Sequence, residues 1–145
     1  MASTGLENKA IPSITKSITQ VKINQFESCG IRDRENIHNS PELAKQRLGT
    51  TYPIASGRMS VAFASELLRE FFGADTFHHS GVVNLKFLRP VKEGDTVTIS
   101  GNLNSSQEVD GGTMVTVDIA CQNQDGNTTA VGQGSAIVSL SLIHI

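Results

Sequence analysis

The chain has 145 residues, of which 38% are apolar and 18% charged, and its formal net charge is −2. That length suits one domain that buries a core without staples, and the composition is that of an ordinary soluble protein rather than a disordered one. No Lys/Arg stripe points to nucleic acid, and no run approaches the ~20 apolar residues of a membrane span.

Residues 1–12 are small and polar, and we expect a flexible segment before a single domain over 13–145. Residues 14–26 alternate loosely, with Ile14, Ile18, Val21, Ile23 and Phe26 suggesting a strand that breaks near Phe26. A polar, charged segment covers 27–39. Asn39-Ser40-Pro41-Glu42 then reads as a helix start, with Pro in the first turn and an acid near the N-terminus. That helix should cover 41–48 and stop at Gly49.

Residues 53–57 form a loop, and Ser56 or Gly57 opens a second helix that runs to Phe72. Its apolar residues cover most of the circumference, leaving Ser65, Glu66, Arg69 and Glu70 on a narrow polar strip. Such a helix is a buried one, and no second helix of comparable length is expected to bury it. A sheet must supply the cover. Strands follow at 82–88 and 95–103, then at 107–122 with Val115, Val117, Ile119 and Cys121 inward, and at 130–142. Asp110-Gly111-Gly112 and Gln124-Asp125-Gly126-Asn127 mark antiparallel turns. The fold class is α+β, a sheet curled around one long helix. The closing run from Leu140 to Ile145 ends the last strand or lies beyond it, and no chemistry is assigned to His144.

Cys29 and Cys121 are far apart and form no CxxC pair, so we expect free thiols, no metal and a reducing compartment. No apolar run at the start is long enough for a secretion signal, which points to the cytoplasm or an organelle matrix. His78-His79 precedes a strand with no third ligand nearby.

Several strings carry a resemblance. Pro53-Ile54-Ala55-Ser56-Gly57-Arg58-Met59 resembles the loop into the central helix of the MaoC-like dehydratases, the group that includes (R)-specific enoyl-CoA hydratases. Phe87-Leu88-Arg89-Pro90-Val91 with Glu93-Gly94-Asp95-Thr96-Val97 resembles their strand-turn-strand after that helix. Asn36-Ile37-His38 followed by Pro41-Glu42-Leu43-Ala44 resembles their hydratase segment. The resemblance is good over residues 26–103. It implies a single hot-dog domain, a homodimer, and an acyl thioester substrate carried on CoA or acyl carrier protein, with no cofactor. The setting it implies is fatty acid metabolism.

The family's catalytic pair is an Asp and a His five positions later. Asp33 and His38 hold that spacing, although Glu35 and Asn36 stand where the family has Asn and Pro. Hydration of an unsaturated thioester needs a base for water, an acid for the α-carbon and a holder for the enolate-like oxygen. A His with a neighbouring carboxylate can move the protons. The resemblance puts Gly57 at the oxyanion donor, with Ile54, Ser56 and Arg58 as further substrate-binding candidates. Lys86 and Arg89 are candidate contacts for substrate phosphates. A rival hydrolase reading uses Glu66 or Asp33, Glu66 because hot-dog thioesterases use a carboxylate on the central helix. A third reading keeps the fold but turns it to another addition or cyclisation in a biosynthetic pathway.

Overall fold

Alternating residues in the second half of the chain become three long antiparallel strands. The computed structural model describes residues 4–29 and 35–139. Its elements are β1 (Ile14–Ser17), α1 (Gln20–Glu27), α2 (Pro41–Leu48), α3 (Gly57–Phe72), α4 (Ala74–Ser80), β2 (Val82–Phe87), β3 (Thr96–Val109), β4 (Gly112–Gln122) and β5 (Thr128–Val138). The strands form one antiparallel sheet in the order β1-β3-β4-β5-β2. Curved over α3, this is the hot-dog arrangement expected.

Pairing sets which residues enter the core. On β4, Val115, Val117, Ile119 and Cys121 are buried, as their alternation predicts. Opposite them, Ile99 pairs with Cys121 across the β3–β4 ladder, and Ala130 and Ala136 line the inner face of β5. Helix α3 sends Ala64, Leu67, Leu68 and Phe71 into that face, each fully buried. The sheet covers one side of α3. Val61 and Phe63 on its flank are half-buried, and Ala62 is exposed. The helix lies close to the sheet at Gly134, where a Cβ would run into the Leu68 side chain.

Three boundaries differ from the sequence reading. The strand expected over 14–26 ends at Ser17. Thr19 turns the chain, and its hydroxyl accepts from the amide of Lys22, which starts α1. The short helix α4, for which the sequence reading had no helix, occupies the approach to β2 and places His78 and His79 on its exposed side. The strand expected over 95–103 runs on to Val109, past a register shift between Leu103 and Ser105, and turns only at Asp110-Gly111. The two helices that were expected stand as read. Ser40 caps α2, and Gly49 ends it with φ 73°.

Of the first dozen residues, expected to be flexible, Thr4 is buried, and Leu6 and Ile11 pack against the core. Lys9 Nζ donates to the carbonyl of Phe71 at 2.6 Å, near the end of α3. Among the described residues no helix is long and apolar enough to cross a membrane. Cys121 is buried, Cys29 is exposed, and both are free thiols.

Candidate active site

The first turn of α3 and the loop before it form one wall of a cavity of about 450 Å³. Ile54, Ala55, Ser56, Gly57 and Ser60 line it from this side, and Phe87, Leu88, Arg89 and Thr129 from the other. The volume falls within the roughly 300–1,000 Å³ typical of small-molecule sites.

Main-chain bonds hold the loop from two directions. The Ile54 amide donates to Ile37 O at 3.0 Å, and the Ala55 amide donates to Val91 O at 2.6 Å. Ser56 then caps α3. Its hydroxyl accepts from the Arg58 amide at 3.1 Å, and its carbonyl accepts from the Met59 amide at 2.9 Å. The Gly57 N–H is the one left over. It is the first donor of the helix, it belongs to a residue of the cavity wall, and it has no partner among the described residues. A Cβ on Gly57 would meet the Phe87 ring at 2.7 Å, so only glycine lets that ring sit against the helix start.

His38 stands behind this wall. Its Nδ1 lies 2.8 Å from the carbonyl oxygen of Ile54. A carbonyl only accepts, so Nδ1 is the donor in this bond, and in the neutral ring that places the lone pair on Nε2. The segment around His38 is tied on both sides. The His38 amide donates to Asn36 Oδ1 at 2.8 Å, and Gln20 Nε2 donates to His38 O at 2.8 Å. The Asn36 side chain thereby closes the turn that carries His38.

The sequence-predicted residues separate into three groups. Ile54, Ser56 and Gly57 lie together on the cavity wall, with His38 bonded to Ile54. Arg58 points elsewhere: its guanidinium meets Glu27 Oε2 at 3.3 Å, and its side chain is 64% exposed. Asp33 lies outside the described residues. The rival carboxylate, Glu66, is held by Lys16 at 2.9 Å and is not among the cavity residues. Lys86 points out from β2, whereas Arg89 lines the cavity and donates to Thr128 O at 2.8 Å.

Sequence reasoning missed Ser60, Phe87 and Thr129 on the wall, and Gln20 and Glu27 behind it. Ser60 had a signal. It stands four residues after Ser56, so both fall on one face of α3. Gln20 and Glu27 had none, because they belong to a helix that the alternation of residues 14–26 concealed.

The comparisons with known proteins agree with this architecture. The monoamine oxidase regulatory protein from Archaeoglobus fulgidus has a similar structure, with TM-score 0.72 and 22% identity over 90% of each chain. The (R)-hydratase from A. caviae involved in PHA biosynthesis is similar with TM-score 0.71 and 18% identity, over 91% of this chain and 98% of that one. The MaoC-like dehydratase from Rhodospirillum rubrum gives TM-score 0.68 and 19% identity, over 88% of each chain. At such identities the likeness is one of fold. No match is found among curated protein sequences. The family described as "MaoC like domain" matches residues 3–124, most of the chain. This protein belongs to the MaoC-like domain family.

Proposed function

We propose that the protein is a hydro-lyase that adds water to an enoyl thioester, or removes it from the 3-hydroxyacyl thioester. Asp33 and His38 are the catalytic pair in this reading. The observation that carries it is the His38–Ile54 bond, which ties the imidazole through Nδ1 to the same cavity wall that includes Gly57.

The reaction then runs on a single water. His38 Nε2 takes one proton as the water oxygen bonds to the β-carbon. The double-bond electrons move toward the thioester oxygen, where the Gly57 N–H and the start of α3 hold the developing charge. Asp33 positions the water and supports the imidazolium. The proton returns to the α-carbon as the electrons fall back, so water has crossed the double bond with nothing left over. Dehydration is the same path reversed. Ser56 sets the helix start through its cap, and Ile54 holds the His38 ring.

We also propose that the substrate is carried on CoA or acyl carrier protein and that the protein is a homodimer. Phe87 and Leu88 support the dimer. They line the cavity where β2 forms a sheet edge, and they are 53% and 45% exposed.

The test is loss of absorbance at the enoyl-thioester band when crotonyl-CoA meets the protein, with His38→Ala as control. Bleaching by the wild type alone, without release of free thiol, is the expected result. Thiol release identifies a hydrolase instead. No bleaching by either protein removes the short-chain hydratase reading and favours an altered substrate, for which the Glu35 and Asn36 departures are the motive.

A further inference from the structure

Glu27 is the last residue of α1, and its side chain is 4% exposed. Oε2 meets the Arg58 guanidinium at 3.3 Å, while Oε1 is buried without a hydrogen-bond partner among the described residues. A buried carboxylate oxygen left unfilled is costly, and a pair of this kind weakens a fold as often as it strengthens it. Packing alone therefore gives no reason for a carboxylate here.

Its place on α1 does. At 100° per residue, Gln20, Asn24 and Glu27 fall within one 60° face of the helix. Gln20, at the start of that face, donates to His38 O at 2.8 Å and to Asn24 Oδ1 at 3.0 Å. Glu27, at its end, reaches Arg58, whose Nε donates to the capping hydroxyl of Ser56 at 3.4 Å. One short helix thus touches both reacting elements: the turn that carries His38 and the first turn of α3 that presents Gly57.

We propose that this face of α1 is a bracket that sets His38 relative to the first turn of α3, with Gln20 and Glu27 as positioning residues for the reaction. Neither touches substrate. Their contribution is register between base and oxyanion donor, where a displacement near 1 Å costs about 10²-fold in rate. This inference rests on the hydro-lyase reading.

Gln20→Ala and Glu27→Met in the full chain test it, with kcat, KM and thermal midpoint read on crotonyl-CoA hydration. Each variant should lower kcat by ~10- to 100-fold and leave KM within about threefold. Glu27→Met should hold or raise the thermal midpoint, because it removes a buried charge while the exposed Arg58 returns to water. Activity falling while stability holds is an outcome that a purely structural residue does not produce. If kcat stays within twofold of wild type in both variants, or falls only in step with the thermal midpoint, the bracket is wrong. If the wild type does not hydrate crotonyl-CoA, the short-chain hydratase reading fails separately. The bracket is then read by NMR from the His38 ring in Gln20→Ala and the Gly57 amide in Glu27→Met. Unchanged resonances overturn it, and shifted ones support it.

Discussion

The Nδ1 of His38 lies 2.8 Å from the carbonyl oxygen of Ile54, a residue that itself lines the cavity. One bond thereby ties the ring to the cavity wall, with Nδ1 as its donor. His38→Ala removes the Nε2 lone pair, and a group in that role contributes ~10²–10⁴-fold in rate. We expect that loss in kcat for crotonyl-CoA. The thermal midpoint should drop by only a few degrees, because one half-buried hydrogen bond is worth about 1 kcal/mol. A kcat within tenfold of wild type would take His38 out of the chemistry.

Gly57 and Phe87 form a second linked pair. In Gly57→Ala the new methyl meets the Phe87 ring at 2.7 Å. Phe87 is 53% exposed and can swing away, so the stability cost should stay within about 1 kcal/mol. The cost should fall on activity, because the ring moves across the cavity it lines. The Gly57 N–H is kept, so the loss is that of a misplacement, and we expect kcat/KM to drop by ~10²-fold. The double variant Gly57→Ala, Phe87→Leu should recover part of it. Steady-state kinetics on the two proteins decide whether this contact matters.

Gly134 carries a stability prediction with no effect on chemistry. Its missing side chain lets α3 approach β5, and Leu68 fills the space fully buried. Gly134→Ala overpacks that contact, at about 1–3 kcal/mol. Urea titration should show the midpoint falling with the m-value unchanged. Reducing Leu68 as well, in Gly134→Ala, Leu68→Ala, should cost less than the two single changes added together.

Burial pushes the Cys121 thiol from 9.0 up to about 11. The unfolded chain therefore releases this proton before the folded one does. The stability from Cys121 is complete below pH 9 and is lost as the pH rises from 9 toward 11, by about 2–3 kcal/mol in all. Urea titrations at pH 8 and pH 10.5 should show a larger alkaline loss for wild type than for Cys121→Ala. Equal losses would assign the effect to other groups. At neutral pH a thiol reagent should modify Cys29 and spare Cys121 until the chain unfolds.

Much of this protein was legible in its order of residues. Ser40-Pro41 and Gly49 announce α2, and Ser56 with the apolar run to Phe72 announces α3, because caps and helical period are local properties. The inward set of β4 follows from strict alternation in the same way. Helix α1 was not legible. Ile14, Ile18 and Val21 keep up a loose spacing across its start, yet Val21 is 65% exposed, and the packing of Ile18 and Ile23 overrides the alternation. Helix α4 lacks a side-chain cap bond, so nothing local marked it.

The residues themselves determined the family strings, the central helix, the strand faces and the candidates His38, Ile54, Ser56 and Gly57. Each of these rests on neighbours a few positions apart. Tertiary structure alone decided that Arg58 turns to Glu27, that Lys16 holds Glu66, and that Phe87 and Thr129 complete the cavity. Arg58 is 31 residues from Glu27, Lys16 is 50 from Glu66, and Phe87 and Thr129 are 30 and 72 from Gly57, and only the closing of the sheet over α3 brings them together. A local pattern cannot carry such information, because the entropy of closing those loops is offset only when the whole core forms.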